Sequence, residues 1–163
     1  MNSIHIIEYD SSHQRSVINL ILGIQNDEFA INLCLNDQPD LLDIPSFYQK
    51  NKGNFWLAVY DNQVVGTIAV LDIKNNNGAL RKMFVAEKFR GKTFGIGQQL
   101  LNTLLLHCQM HEIYNVFLGT THFFEAAHKF YAKNAFFKKD VTLFPKEFPI
   151  MKCDTIFYQK TVR

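Results

Sequence analysis

Three apolar runs follow one another with almost nothing between them: FWLAVY (Phe55–Tyr60), VVGTIAVLDI (Val64–Ile73) and ALRKMFVA (Ala79–Ala86). Asp61-Asn62-Gln63 separates the first two, and the polar stretch KNNNG separates the second from the third. Connections this short between runs rich in β-branched and aromatic residues predict three consecutive antiparallel strands. A sheet built on them needs apolar elements to cover its faces.

The flanking sequence supplies those elements. IHIIEY (Ile4–Tyr9) reads as a strand, and DSSHQRSVINLILGIQNDEF as a helix opened by an Asp/Ser signal, with Val17, Leu20, Ile21 and Ile24 on its apolar side. DQPDLLDIPSFYQKNKGN carries two prolines and a closing Lys-Gly-Asn, so it predicts a short helix inside an exposed, mobile connector. Past the meander, Ile96, Leu100, Leu101, Leu104, Leu105 and Cys108 recur at helical spacing, placing a helix up to about His111. NVFLGTT reads as a buried strand, FFEAAHKFYAKNAF as a second helix, and FKKDVTLF and TIFYQKTV as closing strands. No internal repeat or low-complexity linker interrupts this order, and 163 residues suit a single α+β domain spanning 1–163.

Composition narrows the function classes. A net charge of +2 gives no reason to expect nucleic acid as a partner. Cys34, Cys108 and Cys153 are odd in number and far apart, which argues against a disulfide framework or a structural zinc site. The opening MNSIHIIEYDSSHQ lacks the basic and apolar regions of a secretory signal, and no apolar run approaches membrane-spanning length. A soluble cytoplasmic protein without a membrane or a metal is the expectation.

RGKTFGIGQQLL (Arg90–Leu101) is where chemistry concentrates. Gly91-Lys92-Thr93 imitates the tail of a Walker A loop, but Ala86 stands where that loop needs its first glycine. Gly95-Ile96-Gly97 begins a dinucleotide fingerprint, but Leu100 replaces the third glycine and the loop lies too far past the strand. An isolated pair of glycines would only loosen a loop. Here a strand, basic residues and a strong helix start accompany them. Unpaired N–H groups at Gly95, Ile96, Gly97 and Gln98, with Arg90 and Lys92 at the rim, would suit a pyrophosphate.

LRKMFVAEKFRGKTFGIGQQLL resembles motif A of the GNAT superfamily of N-acetyltransferases, with Lys92 at its Gln/Arg position and Gly95 and Gly97 at its glycine positions. AAHKFYAKNAF resembles motif B through Ala127, Phe130, Tyr131 and Phe136. Ala135 departs from a usual glycine, and Phe124 from an asparagine that contacts the cofactor in many members. The resemblance covers nearly the whole chain. It implies a mixed, mostly antiparallel sheet flanked by helices on both faces.

The resemblance further implies direct transfer of acetyl from acetyl-CoA to a primary amine of a small molecule or peptide. Met83, Phe84 and Val85 would face the thioester and pantetheine arm, and Arg90, Gly91, Lys92, Thr93, Phe94, Gly95, Ile96, Gly97 and Gln98 the phosphates. Tyr131 would protonate the departing thiolate with a phenol of ordinary pKa, about 10; packing beside Phe130 is its structural alternative. Glu28 is the candidate base, with Glu87 as a second; either could be a solvated surface charge. A non-catalytic CoA-binding sensor on the same fold is the competing reading.

Some features stay open. His107 and His111 lie four apart, but HCQMHE lacks the glutamate of a zinc protease motif, so both are expected exposed. His122 and His128 could edge an acceptor pocket or belong to a polar helix face. Asp27, Glu28, Asp37, Asp40 and Asp43 in the connector suit a cationic amine. The chain could be a monomer or a homodimer, TIFYQKTV offering a strand edge.

Overall fold

The computed structural model describes residues 2–163. Its strands are β1 (Ile4–Glu8), β2 (Asn54–Tyr60), β3 (Gln63–Asp72), β4 (Asn77–Val85), β5 (Asn115–Thr120), β6 (Phe137–Lys138) and β7 (Ile156–Thr161). Its α-helices are α1 (Gln14–Leu22), α2 (Ile44–Phe47), α3 (Ile96–Met110) and α4 (Glu125–Lys133). One seven-stranded sheet runs in the order β1-β2-β3-β4-β5-β7-β6. Every pair is antiparallel except β4 with β5, so the predicted meander forms its left half. Among the described residues no helix is long and apolar enough to cross a membrane.

Each face of the sheet carries its own core. Ile96, Leu100, Leu101, Leu104 and Cys108 of α3 pack with Tyr131 and Phe136 over Ile68, Leu80, Val116 and Leu118. On the other face, Val17 and Ile21 of α1 join Leu41, Ile44 and Tyr48 over Phe55, Leu57 and Ala69. Burial at these helical intervals matches the apolar spacing in sequence and removes water from both sheet surfaces.

Three local features depart from the sequence reading. The connector is not a mobile exposed segment: Leu41, Ile44 and Tyr48 are fully buried, and the Asn26 amide holds the Leu33 backbone, accepting from its N–H at 2.7 Å. FKKDVTLF keeps only Phe137–Lys138 as strand and turns at Val141–Leu143, because Asp140 caps the turn by accepting from Thr142 N. β7 is no edge, since β5 pairs with its whole length and β6 with part of its other side.

Helix α4 ends in a tight reversal: Phe136 N donates to Tyr131 O at 3.0 Å and Ala135 N to Ala132 O at 3.2 Å. That pattern forces Ala135 into the left-handed region, φ 62°. A Cβ is disfavoured there, which is why glycine is the usual occupant. Ala135→Gly is therefore expected to stabilise the chain by about 0.5–1 kcal/mol, raising Tm by about 2 °C. Thermal unfolding followed by circular dichroism checks it, with an unchanged or lower Tm counting against strain at this position.

Candidate functional site

Strands β4 and β5 pair at only three positions, Asn77↔Asn115, Gly78↔Val116 and Ala79↔Phe117. Beyond Ala79 the two strands continue without each other, and a cavity of about 820 Å³ opens in the splay. Leu80–Val85 form one wall, Leu118–Thr121 the other, and Ala127, Phe130 and Tyr131 of α4 close one side. On the β3 side, Ala86 N donates to Val65 O at 2.8 Å. Strand alternation then turns the N–H groups of Met83 and Val85 toward the cavity.

A bulge shapes this wall. Thr67 pairs with Phe84 and Ala69 with Arg81, so β4 carries one residue more than β3 between them. Lys82 takes up the excess at φ 54°, and Thr67 Oγ1 pins it by donating to Lys82 O at 2.6 Å. Arg81 and Lys82, adjacent in sequence, consequently turn to the same face: both reach Oδ2 of Asp40, at 4.0 and 3.3 Å.

The loop into α3 meets the other end of β4. Gly95 caps the helix at φ 61° with no side-chain hydrogen bond, so the amides of the first turn lack a side-chain partner. A Cβ on Gly91 (φ 94°) or Gly95 would meet nothing within 4 Å, so both glycines are required by backbone conformation and leave open space beside them. Gly97 is different, being closed in by Met83 Cε at 3.4 Å from such a Cβ. Of the loop residues singled out from sequence, Arg90, Gly91 and Gly97 line the cavity with Met83, Phe84 and Val85. Phe94 instead packs against Tyr60 and Phe89, Ile96 is core, and Gln98 ties α3 to α4 by donating to Asn134 Oδ1 at 2.9 Å. Lys92 and Thr93 are exposed.

Glu28 and Arg90 were expected to play separate parts, as base and as phosphate contact. The structure pairs them: both guanidinium terminal nitrogens donate to the two carboxylate oxygens, and Arg90 Nε donates to Val85 O at 2.8 Å. Both carboxylate oxygens are taken up by the fork, and the fork has little left for a phosphate. The pair fastens the end of the first helical segment, which continues past α1 as a π-helix over Gly23–Glu28, to the end of β4. Glu87 is exposed.

Tyr131 brings its ring into the core at 4% exposure while lining the cavity. No buried side-chain polar atom lacks a partner among the described residues, and the phenol makes no hydrogen bond there, so its hydroxyl meets the cavity. Burial first, and Tyr158 second, push its pKa well above the ordinary phenol value that the sequence suggested. Behind it, His128 Nε2 donates to Thr121 O at 3.1 Å, and its Nδ1 lies 2.9 Å from Tyr158 OH. Phe124, in place of a polar residue, stacks edge-on against Phe29 and Phe84 at the cavity wall.

The connector's acids are mostly spent. Asp40 is buried, accepting from Tyr48 OH and pairing with Lys82; Asp43 caps α2; Asp37 accepts from Cys34 N. The expectation of an acidic acceptor pocket therefore fails for Asp40, because its charge is already balanced. Sequence reading missed Arg81 and Lys82, although two adjacent cations in the otherwise apolar ALRKMFVA break strand alternation and mark the bulge. His107 is half-buried rather than exposed, its Nε2 2.8 Å from Lys52 O. Cys108 is core, its thiol pushed up to about 12 by burial. No group of three or more potential metal ligands occurs among the described residues.

A family model for the acetyltransferase (GNAT) domain matches residues 51–137. N-acetylaspartate synthetase of Rattus norvegicus is 39% identical over 99 residues, covering 60% of this chain and 32% of that protein. The chain thus spans about a third of the length of the curated relatives it matches. A GNAT-family acetyltransferase of Staphylococcus aureus superposes with a TM-score of 0.95 at 37% identity, over 99% of this chain and 100% of the other. An acetyltransferase of Streptococcus agalactiae gives 0.93 at 27% identity over 98% of both chains.

Burial lowers the pKa of Lys82 from 10.5 to about 8, against the opposing pull of Asp40. Below about 8 both folded and unfolded chains hold this proton, and the cost of burying the charge is fully present. Between there and 10.5 the unfolded chain holds more, so this group makes stability climb with pH. Urea unfolding of the wild type and Lys82→Met across that window should show the climb in the difference between the two. A difference that does not vary with pH would mean that Lys82 titrates as a solvated amine.

Proposed function

The chain belongs to the GNAT family of acetyltransferases, and from that premise we propose that it moves an acetyl group from acetyl-CoA directly to a primary amine of a small molecule or peptide. The observation that carries this reading is the splay between β4 and β5, which sets main-chain N–H groups, an uncapped helix start and a phenol around one cavity. The rat relative's name describes the making of N-acetylaspartate, which is an acetylated primary amine.

The residues fit the co-substrate. The Gly95 amide, expected free, donates to Gly91 O at 3.2 Å, which leaves the amides of Ile96, Gly97 and Gln98, with open space beside Gly91 and Gly95, to suit a diphosphate at the positive end of α3. Lys88 and Lys92 are the remaining cations between β4 and α3, since Arg90 is engaged by Glu28. Acetyl-CoA supplies an acyl thioester, already activated for attack by an amine. One of the N–H groups of Met83 and Val85 stabilises the negative charge that develops on its carbonyl oxygen as the amine nitrogen bonds to the carbonyl carbon, and the other, about 6.6 Å along the strand, is left for the pantetheine arm. Tyr131 hands its proton to the sulfur as the carbon–sulfur bond breaks, and the proton lost by the amine passes to water in the cavity.

Glu28 acts here as a clasp on Arg90. Glu28→Gln is expected to lower kcat by less than about 10-fold, where loss of a general base costs about 10²–10⁴-fold. Tyr131→Phe should lower kcat by about 10²-fold while CoA affinity by calorimetry stays unchanged. Because the folded phenol titrates above its usual value of 10.0, it stays protonated through that pH, and kcat should not fall on the alkaline side before it. Free-thiol release from acetyl-CoA across a panel of amines reads all of these. Full activity of Tyr131→Phe, or an alkaline fall centred near pH 9, would remove the phenol from the mechanism; no thiol release with any amine would remove the transferase.

A further inference from the structure

We propose that the acceptor carries a carboxylate, bound in the cavity by the guanidinium of Arg81 with Lys82 beside it, so that the amine substrate is an amino acid or a similar small amino-carboxylate. This rests on the transferase reading above and adds the substrate class to it.

The hydrogen-bond inventory of the two cations carries the argument. Lys82 is largely satisfied: its Nζ donates to Gln38 Oε1 at 2.7 Å and stands 3.3 Å from Asp40 Oδ2. Gln38 is fixed in turn by reciprocal bonds with Gln25, at 2.7 and 3.1 Å. Arg81 is not satisfied. Its side chain is 13% exposed, yet the fork makes one hydrogen bond, to the thioether of Met151 at 3.1 Å, which is a weak acceptor. The nearest carboxylate oxygen, of Asp40, is 4.0 Å away and is already occupied by Tyr48 and Lys82.

A guanidinium has five N–H donors. No buried side-chain polar atom is left without a partner among the described residues, so the unfilled donors of Arg81 face the cavity that it lines. Charge count alone does not select the ligand: Arg81, Lys82 and Lys152 line the cavity together with Asp37, Glu125 and Asp154, so the preference for an anion rests on the unfilled fork of Arg81. Asp154 directs Oδ2 to Met151 N at 2.9 Å and forms no ion pair with either cation. A planar fork facing a partly desolvated, mostly apolar space matches one carboxylate held by two parallel bonds. The phosphates of CoA are taken at the other end of β4, where Gly91 and the start of α3 lie.

The test pairs amines that differ only in a carboxylate: glycine with glycinamide, L-asparagine with L-asparaginamide, and L-aspartate with L-asparagine. On the full chain, free-thiol release from acetyl-CoA gives turnover, and calorimetry in the presence of CoA gives binding. The carboxylate member of at least one pair is expected to exceed its amide by about 10-fold or more in kcat/KM. Arg81→Gln should raise KM for that amine and narrow the gap while KM for acetyl-CoA stays put, and Arg81→Lys should recover part of the preference. CoA affinity verifies that each variant folds. If amides are acetylated as well as carboxylates, or Arg81→Gln keeps the preference, the anchor is overturned and the transferase stands. If no amine releases thiol, the transferase reading fails and calorimetry decides the anchor alone. Carboxylate binding that Arg81→Gln abolishes would sustain it, and no such binding would overturn it.

Discussion

Main-chain amides that leave a sheet must find partners elsewhere, and the rest of this molecule is arranged around that constraint. β4 and β5 share three paired positions and then separate, so the cavity side of Leu80–Val85 faces no strand. An open gap inside a sheet would ordinarily close or fill with side chains. Here its neighbours hold it open. α3 and α4 pack over Leu80 and Leu118 on one face, and the ordered connector covers the other. The bulge at Lys82, pinned by Thr67, keeps β4 bonded to β3 while it bends away from β5.

The same bulge explains why a buried charge cluster lies against the cavity. Turning Arg81 and Lys82 to one face places two cations where a regular strand would place one. Burying charge is costly unless each group is paired and hydrogen-bonded. Asp40, Gln38 and Tyr48 meet most of that requirement, and all three come from the connector. The order of the connector and the tolerance of the bulge are therefore one arrangement. Removing Asp40 would leave Lys82 a buried charge without its counter-ion, at a cost borne by both the connector and the strand.

What sequence made legible divides along physical range. The meander, the amphipathic helices α1 and α3 and the glycine loop follow from local periodicity and backbone preference, and each appears where those rules put it. Glu28 and Arg90 are 62 residues apart, and no local rule reveals that they satisfy each other. The Tyr131 environment is equally nonlocal, since its raised pKa comes from burial and from Tyr158 on β7. The connector misled because its prolines and acids look like solvent-exposed loop, whereas Asp40 is a buried counter-ion and Pro45 starts a helix that buries Ile44. FKKDVTLF carries strand-forming residues, but capping by Asp140 outweighs that preference after two paired residues.

Phe124 shows how a departure from the family's usual residue is absorbed rather than left as a defect. A polar residue at the head of α4 would offer a hydrogen bond toward the cavity. A phenylalanine instead meets Phe29 from the π-helical segment at 4.8 Å and Phe84 from β4 at 6.2 Å, both edge-on. Edge-on contacts of this kind add to apolar burial. They join three elements that border the same cavity, and Arg90 lies over the Phe29 ring at 5.9 Å, extending the Glu28 clasp onto it. Apolar contact thus replaces a polar one at the wall. The polar groups that remain at the cavity are the outward N–H groups of β4, the start of α3 and the fork of Arg81.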